Sequence, residues 1–403
     1  MAGHVSSVPQ KPRLVTPRLA WLLTGSLLSL SSFFLLMTVA PLYASKSSGS
    51  SVDAGLVTGV MMLATVAIEL VMPQLVARWG YRNVMIAGYL LLAIPSLVLV
   101  PFDQFGAIIA VAFARGIGFG IVVVGATALA AEFAAPGRRG ETLGLYGVAV
   151  CVPSIFGLPL GVWLSENVGF TVVFVLAFLC ALCALVAVGA YPNTRKPYVG
   201  TSGVAAAAAR PAVLRPALIF TAAATATGVF MTFLPLAVSI TDSGSVVVVA
   251  LLAQTTLTSV FRWLAGRLSD RFGASRLLPP AVAAAAIGAA CMYATGSAAM
   301  VIGGMCIFGM GFGMTQNLTL TMMLDRTDAG GVGAVSALWN IGYDGGMGIG
   351  AVGFGYLAVV TGYPIGFAVL AGVLAVAVIP AFLRTKVPVV AQAEPEAVAG
   401  RAG

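Results

Sequence analysis

The chain has 403 residues, of which 60% are hydrophobic and only 8% charged, and its mean hydropathy is +1.02. Soluble domains average roughly 25% charged residues, so composition excludes a soluble globular protein and leaves a polytopic membrane protein. The formal net charge of +8 reads as topogenic charge on loops, and no nucleic-acid partner is expected.

The apolar stretches are continuous, as at Val98–Val100 and Val122–Val124, whereas a membrane barrel alternates apolar and polar residues. The expected fold class is therefore an all-α membrane protein. Its five cysteines all lie in apolar stretches, and Cys180 and Cys183 read as small apolar filler despite their redox-like spacing. His4 is the only histidine, so neither a metal site nor a cofactor is expected.

Residues 1–18 form a basic tail with Lys11, Arg13 and Arg18. The apolar run 19–44 is longer than a signal-peptide core of about 7–15 residues, and it reads as a retained first span. Further runs follow at 54–77, 83–101, 104–131, 142–164 and 169–191, then 213–240, 245–265, 276–296, 298–324, 331–360 and 363–384. That makes 12 spans, each near the roughly 20 residues a crossing needs. Of the 21 Lys and Arg residues, Lys46 alone falls on the side away from the N-terminus, while Arg115 and Arg262 lie within spans. Both termini are thus expected in the cytoplasm of a plasma (inner) membrane protein. The Pro- and Gly-containing stretch 192–212 reads as a cytoplasmic linker between a six-span half at 19–191 and another at 213–386, with a disordered tail at 387–403.

The halves match at an offset of about 193: Gly116-Ile-Gly-Phe-Gly120 recurs as Gly309-Met-Gly-Phe-Gly313, and Leu75-x-x-Arg78-x-Gly80 recurs as Leu268-x-x-Arg271-x-Gly273. The glycines follow no strand and lie mid-span, so they read as close helix contacts rather than a nucleotide loop. Two like-oriented halves imply a pseudo-two-fold axis along the membrane normal, with substrate bound between them.

The loop Gly266-Arg-Leu-Ser-Asp270-Arg271-Phe-Gly273-Ala-Ser-Arg276 carries the signature of a known family. Its first copy keeps Arg78, Gly80 and Arg82 but has Ala77 where the acid belongs. With the duplicated spans, this loop resembles the major facilitator superfamily. Arg115 ahead of Gly116, Gly118 and Gly120 is similar to the arginine motif of proton-coupled members. Gly157, Pro159 and Gly161 resemble the glycine-proline motif of its drug:proton antiporters, with the proline displaced by one residue. The resemblance implies alternating access, with Asp270 latching a gate against the start of span 5.

Four charges fall near mid-span: Glu69, Arg115, Arg262 and Asp344. A charge at the bilayer centre costs about 2.5–3.5 kcal/mol on insertion scales, so each is expected to face the bundle interior. One reading makes them fixed structural pairs. The other has Asp344, with Glu69 and Arg115, coupling protons to transport, since an acid that alternates between settings can load and release a proton. Gly342, Gly345, Gly346, Gly348 and Gly350 flank Asp344 and leave room around it. Asn340, Asn317, Gln316, Gln254, Arg262, Tyr343, Phe34 and Thr38 are expected to line a substrate cavity, with Thr232 as a further polar candidate.

The expected function is proton-coupled export of a small amphiphilic compound by a protein working as a monomer in the bilayer. The alternatives are proton-driven import of a metabolite and, more remotely, an integral membrane enzyme.

Overall fold

The structure is a computed structural model that describes residues 14–135, 138–192, 203–238, 243–327 and 331–383. Every regular element among them is helical. Helix α1 (Pro17–Met37) opens with Pro17 in the first turn, where a missing N–H costs nothing, and the Thr16 hydroxyl caps Leu19 N–H. A break at Thr38 separates it from α2 (Val39–Ser48), and the two form one crossing.

Next comes α3 (Ser51–Val98), capped by Ser50. Its 48 residues would extend about 72 Å at 1.5 Å per residue, far beyond one bilayer. It is two crossings joined by a turn at Gly80, whose φ of 76° and ψ of 160° no helix accommodates. The crossings continue as α4 (Phe105–Glu132), α5 (Arg139–Asn167) and α6 (Phe170–Cys183), which tightens into a 3-10 turn at Ala184–Ala190. The short α7 (Gly203–Ala208) takes up the alanine run. The second set is α8 (Pro211–Ala237), α9 (Ser243–Phe272), α10 (Ala274–Cys291), α11 (Ala298–Leu324), α12 (Val332–Thr361) and α13 (Tyr363–Phe382).

Among the described residues, ten helical stretches are long and apolar enough to cross a membrane, α3 counting once. The second crossing in α3, together with α12, brings the set to the twelve expected. Glycines and Asp344 dilute the hydropathy of α12 although it has 30 residues. The ends of the expected tails, at 1–13 and 384–403, and the middle of the expected linker, at 193–202, lie outside the described residues.

The helix pairings repeat. In the first half α1 packs on α5 and α6, and α3 on α4 and α6. In the second, α8 packs on α12 and α13, α11 on α9 and α10, and α10 on α13. The duplicated glycines explain how closely these pairs approach. A Cβ on Gly116 would strike the Met61 carbonyl, and one on Gly309 would strike the Gln254 carbonyl. Gly120 meets Thr65 as Gly313 meets Thr258. Thr65 Oγ1 donates to Gly116 O at 3.1 Å, and Thr258 Oγ1 donates to Gly309 O at 3.3 Å. Each contact is displaced by the same 193 positions.

The halves meet along α3 with α12 and α5 with α9. Near the start of α3 they are pinned: Ser51 Oγ lies 2.7 Å from Tyr363 Oη, and the buried Thr58 and Thr232 hydroxyls are 2.8 Å apart. Gly55 abuts Ala351 there, and Gly59 abuts Val352. Thr232 therefore joins the halves instead of lining the cavity.

Candidate functional site

A cavity of about 210 Å³ lies between the halves. Its polar lining comes from mid-helix positions that share a face. On α3 this is Glu69; on α9, Gln254, Thr258 and Arg262; on α11, Gln316. Helix α12 contributes Asn340 and Asp344, four residues apart and hence on one face.

Asp344 is 5% exposed and forms no hydrogen bond or ion pair among the described residues. Glu69 lines the same space and lies within electrostatic reach of Asp344. Two carboxylates sharing a site poor in water repel when both are charged, and one proton between them relieves that repulsion. Arg262 lines the same cavity, with Tyr343 in electrostatic range of both Arg262 and Asp344. Gln254 Nε2 donates to Thr258 Oγ1 at 3.3 Å, leaving the buried Oε1 without a partner. This free acceptor borders the cavity.

Apolar lining comes from stacked aromatics. Phe34 lines the cavity on α1, beside Phe33, whose ring stacks on Phe119 with centroids 3.6 Å apart. Across from them, Trp339 stacks on Phe220 at 4.4 Å, and Tyr343 on Phe220 at 5.7 Å. Trp339 Nε1 donates to Thr319 Oγ1 at 3.3 Å, fixing a ring that lines the cavity. The wall combines flat apolar faces with sparse polar groups, the chemistry of a small-molecule site.

Three expected site residues stand elsewhere. The Arg115 guanidinium, 2% exposed, is locked among helices. It donates to Ser32 O at 2.7 Å, to Ser96 Oγ at 2.5 Å and to Leu92 O, which ties α4 to α1 and the second arm of α3. Its donors serve helix packing and do not face the cavity. Thr38 is buried at the α1–α2 break. Asn317 is one position from Gln316, a turn of about 100° on a helix, and that rotation puts it against Gly266 of α9.

At the turns, Gly80 and Gly273 share a positive φ, 76° and 83°, so the repeated motif places a glycine where a side chain would be strained. Gly169 and Gly362 form a second such pair, also 193 apart, without a flanking motif to mark them in the sequence. Arg78, Arg82, Arg271 and Arg276 are exposed around the first pair. Asp270 is exposed too and makes no hydrogen bond or ion pair to α5 among the described residues. Within α5, Gly157 and Gly161 seat the helix against Phe34 and Leu35 of α1, with Pro159 between them.

The family model for the Major Facilitator Superfamily matches residues 22–351. The chain belongs to this superfamily and is one of its transporters. No curated protein sequence matches it. Among solved structures it is similar to a point mutant of the nucleoside transporter NupG, with a TM-score of 0.75 and 12% identity over 90% of this chain and 98% of that one. It is also similar to the xylose transporter XylE from E. coli in a partially occluded inward-open conformation, with a TM-score of 0.68 and 14% identity over 90% of this chain and 95% of that one. At these identities the likeness is one of fold.

Proposed function

We propose that the protein is a proton-coupled secondary transporter that exports a small amphiphilic compound in exchange for protons by alternating access. The observation that carries this reading is Asp344: a carboxyl buried mid-membrane, without a hydrogen-bond or ion-pair partner among the described residues, beside Glu69 on the cavity wall. A permanently paired structural acid would hold a cation, and this one does not. When the halves rock, its surroundings change, and with them its hold on a proton.

The aromatic walls fit a substrate with flat or apolar parts. Gly157, Pro159 and Gly161 support the antiport direction through their likeness to the antiporter motif. The arginine-rich turns support a plasma-membrane protein with both termini in the cytoplasm, and we propose that it works as a monomer. Asp270 then latches against the start of α5 in one of the two alternating states.

A second reading is proton-driven import of a hydroxylated metabolite. The amide groups of Gln254, Gln316 and Asn340 favour it, as do the printed names of the two similar structures, a nucleoside and a xylose transporter. Transport of a candidate panel into proteoliposomes, with and without an imposed pH gradient, separates the two. Substrate moving against the proton gradient supports export, and substrate moving with it supports import. Transport indifferent to the gradient would defeat both.

A further inference from the structure

A second cavity meets the first at Asp344. It is a groove of about 500 Å³ between α3 and α12, one of the seams between the halves. Its rim residues Leu63 and Ile349 are 68% and 69% exposed, as expected of apolar side chains turned toward lipid. The walls are apolar and partly bare: Gly345 and Gly353 have no atom within 4 Å of where a Cβ would stand. Asp344 is common to the lining of this groove and of the central cavity.

We infer that the groove is a lateral portal by which an amphiphile already dissolved in the bilayer, with a cationic head and a flexible apolar tail, reaches Asp344 while its tail lies along the glycines of α12. This deepens the proposed function and rests on it. A water-borne solute gains nothing from such apolar walls. An alkyl tail passes from lipid into the groove at little cost, because lipid chains and apolar side chains are alike as solvents. The head bears the cost, since a bare cation at this depth is expensive, and an opposing carboxylate offsets it. Asp344 supplies that carboxylate, Glu69 stands within its electrostatic reach, and Arg262 lines the central cavity but not the groove.

The test uses dicyclohexylcarbodiimide, an apolar reagent that approaches carboxyls from the membrane. A protonated carboxyl adds across one of its N=C bonds, and the O-acylisourea rearranges to an N-acylurea without loss of atoms, which peptide mass spectrometry reads. In proteoliposomes of the full chain, the reagent labels Asp344. Dodecyltrimethylammonium protects it, whereas tetramethylammonium and uncharged dodecyl maltoside do not. Gly345→Leu, which fills the groove, slows Asp344 labelling about tenfold, equivalent to roughly 1.4 kcal/mol of added barrier. Labelling of Glu69 by a water-soluble carbodiimide keeps its wild-type rate and reports a folded central cavity. If that control is lost, Ile349→Trp at the rim takes the place of Gly345→Leu, with the same slowing expected.

Unchanged Asp344 labelling in the groove variant would overturn the portal. So would equal protection by tetramethylammonium, which signals access through water, or by dodecyl maltoside, which signals an unselective lipid groove. The labelling needs no turnover. Transport indifferent to an imposed pH gradient would therefore sink the proposed function while leaving the portal standing, and proton-driven transport that survives loss of the Asp344 carboxyl would sink only its coupling role.

Discussion

Arg115 and Asp344 are both charges buried mid-membrane, and their surroundings separate their roles. Arg115 spends its donors on Ser32, Leu92 and Ser96, binding three helical segments into one unit. Deleting it orphans buried acceptors, each at about 1–3 kcal/mol. Arg115→Ala is expected to lower the thermal unfolding temperature in detergent, while the folded fraction keeps wild-type substrate affinity. A changed affinity with unchanged stability would return Arg115 to the transport site. Glu69 is the opposite case. Glu69→Gln leaves the scaffold intact but removes the second titratable carboxyl near Asp344, and it is expected to shift the pH dependence of transport without abolishing it. A pH–rate profile superimposable on wild type would contradict that.

At the scale of single elements, the duplicated glycine helices carry the most weight. A side chain at Gly309 would wedge α11 away from α9 at Gln254, a residue that also lines the cavity. Overpacking of this kind typically costs about 1–3 kcal/mol. Gly309→Val is thus expected to lower both the unfolding temperature and transport, while Gly303→Ala, beside open space, leaves both unchanged. Equal behaviour of the two variants would refute the close-approach explanation. These glycines were legible in the sequence because the repeat displays them twice. The crossings were legible because continuous apolarity admits only helices. Helical phase was not legible: Gln316 and Asn317 are neighbours in sequence, and only the rotation of α11 decides which one meets the cavity. The role of Arg115 was hidden for a related reason. Its acceptors lie 19 to 83 positions away, and no local pattern announces them. Thr232 resembled a cavity residue until the fold set it against Thr58.

On the scale of the whole molecule, alternating access requires the pinned end of the seam to part. The Thr58 and Thr232 hydroxyls are 2.8 Å apart, so the two side chains meet across the seam and a cysteine pair at these positions can be cross-linked to hold it shut. Oxidised Thr58→Cys/Thr232→Cys protein is expected to stop turnover, and reductant is expected to restore it. Continued transport in the cross-linked state would show that the seam does not open there. Asp344 lines the central cavity together with Glu69 of the other half and also opens onto the α3–α12 groove. The coupling of protons to substrate by this one carboxyl is the central claim. Its most direct test is the movement of protons into proteoliposomes, followed by an internal pH dye, when a transported substrate is supplied to wild type and to Asp344→Asn. Wild type is expected to move protons opposite to substrate, and Asp344→Asn to lose the proton flux while still exchanging substrate down its gradient. Proton movement in Asp344→Asn equal to wild type would contradict the claim.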